Sequence, residues 1–132
     1  MLIEHTEYRD SAPAVKALDG NSVFRYCAFQ GFSVEGGHVD GLFYGCTFEG
    51  LEWYWGLFNG CVFVQSKFKS CTFRGTAFPD CRFVECEFIE CRFLGDNLGG
   101  GCSAEGAAAY DSKATHCEGA EFLFTRAAES ER

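Results

Sequence analysis

The chain has 132 residues, a net charge of −8, and 47% hydrophobic and 17% aromatic side chains. That length bounds a single domain, and fifteen phenylalanines supply its core. No apolar run is long enough to span a membrane, and acidity spread along the chain without a basic patch speaks against direct nucleic-acid binding.

Residues 1–21 are expected to form an N-terminal cap. The stretch MLIEHTEYRD is acidic and lacks the basic start and apolar run of a secretory leader, which points to a cytoplasmic protein. Leu2 and Ile3 suit a short edge strand. Ser11, followed by Ala-Pro-Ala-Val-Lys-Ala-Leu, reads as an N-cap and a short helix ending near Asp19–Gly20. Such a segment would cover exposed backbone groups at the end of a stack.

From residue 22 a different period takes over. Phe48, Trp53, Phe58, Phe63, Phe68, Phe73, Phe78, Phe83, Phe88 and Phe93 follow one another at a step of five, each with a mostly small residue two positions earlier. Five matches neither a helix nor a plain strand. Residues two apart on an extended chain share a side, so each repeat turns a small and a large residue inward. The two remaining residues make a corner, where Gly50, Gly60, Gly75 and Gly95 fall. Repeats this short bury too little alone and must stack.

The Cys-x-Phe-x-x repeats of residues 46–93 resemble those of pentapeptide-repeat proteins. The resemblance implies an all-β, right-handed quadrilateral β-helix with four repeats per coil, closed by short terminal caps. The expected division is a cap over 1–21, a β-helix over 22–124 that weakens after 98, and a tail over 125–132.

Earlier in the chain, Phe24, Phe29, Val34 and Val39 serve as centres, and Phe43 follows Val39 after four residues instead of five, beside Gly41. Four repeats per coil sorts the centres into columns: Phe24, Phe43, Phe63, Phe83; Phe29, Phe48, Phe68, Phe88; Val34, Trp53, Phe73, Phe93; and Val39, Phe58, Phe78, Leu98. A second slip is expected at Gly99–Gly101. If the repeat resumes, its centres are Cys102, Ala107, Ser112, Cys117 and Phe122; the alternative is a short helix over residues 103–110. The tail from Thr125 reads as helical or frayed.

Seven of the nine cysteines (Cys27, Cys46, Cys61, Cys71, Cys81, Cys86 and Cys91) fall in the small inward slot, so they read as reduced, buried packing residues. From Cys61 to Cys91 their spacing is ten or five, which does not match zinc sites, and neither an activated nucleophile nor a phosphate loop is present. The reading is therefore non-enzymatic, with no catalytic, cofactor or metal residue. Function then belongs to the outward positions. On the first side these include Val23, Leu42, Tyr44, Val62, Val64 and Val84; the third side and its corner add Tyr54, Trp55 and Leu57. Leu42, Tyr44, Tyr54, Trp55, Leu57, Val62, Val64 and Val84 are the candidate partner-binding residues. The occupant of the first side would be a partner protein or a second copy, with a covering terminal segment and plain strand preference as alternatives. The expected function is a protein-interaction scaffold, of which an immunity or adaptor role is a special form. The family resemblance implies a second reading: an acidic mimic of duplex DNA that engages DNA gyrase and confers quinolone tolerance. The nearly balanced charge of the body fits that reading less well.

Overall fold

The computed structural model describes residues 1–124; the reading of the tail from Thr125 lies outside the described residues. Within them the chain is a four-sided parallel β-solenoid of about five turns. Two six-stranded sheets form the first and second sides, a four-stranded sheet the third, and a two-stranded sheet extended by isolated bridges the fourth.

Most repeats are a strand of two or three residues followed by a corner; those at Ala77, Ser103 and Glu118 pair through a single bridge. The corner residue takes a left-handed backbone whether or not it is glycine: Gln65, Ser70, Glu85 and Glu90 have φ of 49°, 54°, 53° and 54°. That conformation is disfavoured for side chains bearing Cβ, and the stacked neighbours on both sides hold it in place.

The columns are as the five-residue step predicts for the first three sides. Phe43 pairs with Phe24 and Phe63, Phe48 with Phe29 and Phe68, and Trp53 with Val34 and Phe73. Ring centroids up the second column are 4.9, 4.6 and 4.8 Å apart and nearly parallel. Rings of neighbouring columns meet edge to face, as Phe43 and Phe48 do at 5.6 Å. Both geometries suit the aromatic quadrupole. Where Trp53 replaces Phe, the extra ring sits over Gly56, at which a Cβ would be 2.0 Å from the indole. In the Val34 repeat the sizes are exchanged: Phe32 is buried two positions before the smaller centre.

The small inward position also carries hydrogen bonds. Ser66, Thr76, Cys71, Cys86 and Cys91 each donate to the carbonyl of an aromatic centre in the coil before, at 3.2–3.3 Å. This explains why Ser, Thr and Cys share the slot: each is small and carries a donor that would otherwise be buried without a partner. All nine cysteines are free, and the seven in the slot are buried. Burial is the main cause that pushes the thiols of Cys46 and Cys86 up to about 11.

The first slip lies where Phe43 follows Val39 by four. Gly41 closes that shortened corner at φ +117°, and a Cβ there would lie 2.4 Å from the Ser22 carbonyl oxygen.

The second slip differs from expectation. Leu98 is not a fourth-column centre; it is 81% exposed at the tip of a loop. Residues 95–100 are an insertion between Phe93 and the next fourth-side residue, and Ala77 bridges to Ser103. The last coil is real, but its frame is displaced by two from the sequence reading. Ala109 pairs with Phe83 and Ala114 with Phe88. Cys102, Ala107, Ser112 and Cys117 are therefore not centres but occupy the small inward slot, and three of them donate to Phe73, Phe83 and Phe88 carbonyls. The segment forms a strand at Ala108–Tyr110 and not a helix. Phe122 is no centre either: it turns back onto Phe93 and Phe78, and Phe124 onto Phe88, so rings from the C-terminal segment close the stack where the last coil has only small residues.

At the other end, Leu2–Glu4 extends the first sheet and Glu7–Tyr8 the second. The ring of Tyr8 stacks on Phe29 at 5.0 Å. A helix, Ser11–Leu18, then covers the third and fourth sides, burying Ala14 and Leu18. Asp10, not Ser11, is its N-cap residue, with extended backbone and no side-chain capping bond. Pro13 sits within the first turn, where the missing N–H costs nothing.

Candidate interaction face

The outward side of the first sheet is built by register alone. Parallel pairing without stagger puts Leu2, Val23, Leu42, Val62, Arg82 and Ala108 in one column. The column beside it holds Glu4, Arg25, Tyr44, Val64, Val84 and Tyr110. Leu2, Val23 and Leu42 are 54%, 38% and 36% exposed. Tyr44, Val62, Val64 and Val84 are half-buried, each shielded by the strands above and below. The apolar band thus runs four strands without interruption.

Its border is polar and fixed. Arg82 donates to the carbonyls of Cys81 and Gly106 at 3.1 and 2.8 Å, which lays its guanidinium along the sheet. Arg25 pairs with Glu4 at 3.1 Å and lies over the Tyr26 ring. Tyr26, at the corner beside the sheet, stacks with His5 and meets Tyr44 edge to face at 5.7 Å. Leu2, Tyr26 and Tyr110 therefore belong to this face, although sequence reasoning did not place them there. Leu2 needed its register with Val23, Tyr110 needed the correct frame of the last coil, and Tyr26 lies in a slot otherwise rich in glycine.

The eight residues singled out from sequence do not form one surface. Leu42, Tyr44, Val62, Val64 and Val84 share the first sheet. Tyr54 and Trp55 are on the third side and its corner, and Leu57 is exposed on the fourth, paired in register with His38. Tyr54 and Trp55 hold the inserted loop. The Tyr54 hydroxyl donates to Asn97 Oδ1 at 2.8 Å and accepts from the Asn97 N–H, while the Trp55 indole donates to Asp96 Oδ2 at 2.8 Å. Asp96 Oδ1 accepts from the N–H groups of Leu98 and Gly100. The Trp55 indole, with these backbone donors, holds the Asp96 carboxyl below its ordinary value.

Neither terminal segment, among the described residues, covers the first sheet. The N-terminal strand lengthens it, and Phe122 and Phe124 dock on the end of the stack. Among the described residues no helix is long and apolar enough to cross a membrane.

No family model matches the chain, and no curated protein matches it. Among solved structures it is similar to two trypsin-treated forms of QnrB1, described as a plasmid-mediated fluoroquinolone resistance protein. The first aligns at 16% identity and a TM-score of 0.47, over 89% of this chain and 57% of that one. The second aligns at 11% identity and a TM-score of 0.47, over 89% and 67%. The chain thus spans less than two thirds of the first of these structures. The likeness is one of fold.

Proposed function

We propose that this protein is a non-enzymatic, cytoplasmic interaction scaffold whose first sheet receives a partner protein. The observation that carries the reading is the uninterrupted apolar band of Leu2, Val23, Leu42 and Val62, with Tyr44 and Val64 beside it. A folded chain gains nothing from leaving such side chains wet, and full burial of each contributes roughly 1.5–3 kcal/mol. Exposed apolar patches with polar rims mark association surfaces, and the central depletion of charge with Arg and Tyr at hand matches interface composition. A second copy of the chain would meet the same requirement as a different protein.

The test is the double substitution Tyr44→Glu, Val64→Glu. Both residues point outward, so circular dichroism and the unfolding midpoint stay close to the parent. Size-exclusion chromatography and a pull-down read the association, which is lost when charge enters an apolar contact. Retention of every partner by a folded variant removes the first sheet from consideration.

The second reading, an acidic duplex mimic acting on a topoisomerase, draws on the net charge of −8. The outward columns interleave both signs, as at Lys67, Glu87 and Lys113, and favour the scaffold. A gyrase supercoiling assay separates the two: inhibition that survives the double substitution supports the mimic.

A further inference from the structure

One cluster of ligating side chains lies away from the first sheet. Asp19 is the C-cap residue of the terminal helix, and His38 and Asp40 flank the inward Val39 on the fourth side. Residues two apart on an extended chain project to the same side, so the His38-x-Asp40 spacing offers an imidazole and a carboxylate together. The helix end brings the third group. His38 Nδ1 is 2.6 Å from Asp19 Oδ1 and 3.9 Å from Asp40 Oδ2. One ligand atom from each of the three residues lies within 4.8 Å of the others.

The backbone fixes this arrangement. The Asp40 N–H donates to the Leu18 carbonyl at 3.0 Å, and Asp40 Oδ1 accepts from the Asn21 N–H at 2.6 Å, which leaves Oδ2 toward His38. Among the described residues neither Asp19 nor Asp40 forms an ion pair with a lysine or arginine. Two carboxylates thus converge on one imidazole with no fixed cation between them.

We propose that Asp19, His38 and Asp40 form a site for a divalent transition-metal ion, suited to Zn²⁺, that fastens the terminal helix to the first coil. Zinc takes nitrogen and carboxylate ligands at about 2.0–2.2 Å, which places tetrahedral donors about 3.3–3.5 Å apart, between the two separations seen around His38. Entry of the ion replaces the His38–Asp19 hydrogen bond with two coordination bonds, and the Nδ1 proton, where present, moves to Nε2 or to solvent. The two carboxylates balance the ion's charge. The imidazole selects zinc over magnesium, which prefers oxygen alone. With three protein ligands and partial exposure, the fourth position belongs to water, so the ion exchanges with solvent.

The test uses the full chain, stripped with chelator, in thermal unfolding with Zn²⁺ or Mg²⁺. Zinc a hundredfold above its dissociation constant is expected to raise the midpoint by about 5–10 °C, and magnesium to leave it unchanged. His38→Ala abolishes the zinc shift, as does the milder Asp19→Asn, which serves if the first variant folds poorly. His116→Ala, remote from the cluster, keeps the shift. Because the chain is rich in thiols, Co²⁺ absorption supplies an independent readout: a d–d band without thiolate-to-cobalt charge transfer is expected. A missing zinc shift, a shift that persists in Asp19→Asn, or a thiolate band each overturns the proposal.

Discussion

The first and second sheets have the same strand count, the same unstaggered register and the same ladders of phenylalanine beneath them. Their outer faces have little in common. Over the Phe43–Phe63 ladder stand Leu42, Val62, Tyr44 and Val64; over Phe48–Phe68 stand Thr47, Lys67, Glu49 and Lys69. The second sheet carries a ladder pair between Lys113 and Glu87 at 3.4 Å; the first has its own pair, Arg25 with Glu4, at one end and leaves Leu42 and Val23 in solvent. Two inward residues in five determine the coil, and the three outward ones are free to specialise. On the proposed reading, the difference between the faces serves association and not folding.

The largest effect belongs to what the two sheets share. Phe63→Ala under the first sheet and Phe68→Ala under the second each remove a fully buried ring from the middle of a ladder, at a cost of about 3–5 kcal/mol. Denaturant unfolding should show equal losses; a marked inequality would mean that the outer faces do contribute to folding. The inward thiols extend the same test. Cys81 and Cys86, beneath the first and second sheets, should react slowly with a thiol reagent until denaturant is added, and the half-buried Cys117 faster. Burial holds Cys86 up at about 11, so little thiolate is present at neutral pH. Rapid native labelling of Cys81 or Cys86 would break the inward assignment.

A smaller, local effect is expected at the inserted loop. The Asp96 carboxyl is lowered from its ordinary 3.8, so its grip on Trp55 is fully present above that value and is lost as the pH falls through the lowered one. Trp55 fluorescence should change in that acid window while the solenoid stays folded, and Asp96→Ala should show the acid-like signal at neutral pH. The smallest effect is at Lys67→Ala, on the charged face. An exposed charge of this kind contributes little, and the unfolding midpoint should move by less than ~0.5 kcal/mol in equivalent stability.

Where the inward pair contains one large and one small residue, the sequence announces its own frame. That is why the three columns through Phe43, Phe48 and Trp53 were legible. Where both members are small, as in Ala107 and Ala109 or Ser112 and Ala114, either could be the centre, and the five-residue step alone leaves the frame ambiguous by two. The physical cause is visible in the structure: the last coil has small centres because Phe122 and Phe124 supply the rings. The insertion hid in the same way, since Leu98 keeps the five-residue step yet points away from the core. The outward columns were legible wherever the frame was. Tyr54 and Trp55 look like surface aromatics in the sequence because their partners, Asn97 and Asp96, are 43 and 41 residues away and in an irregular loop. The Asp19–His38–Asp40 cluster required a helix end and a strand to be brought together, which no spacing discloses.

The central claim is that the two equivalent sheets differ in association, and photo-crosslinking tests it most directly. A photoreactive amino acid placed at Val64 on the first sheet, or at Lys69 on the second, leaves the inward pattern untouched. The two proteins should unfold alike, and irradiation in the source cell's lysate should give a discrete adduct from position 64 and none from position 69. Adducts from position 69 alone, or equal adducts from both, would contradict the account.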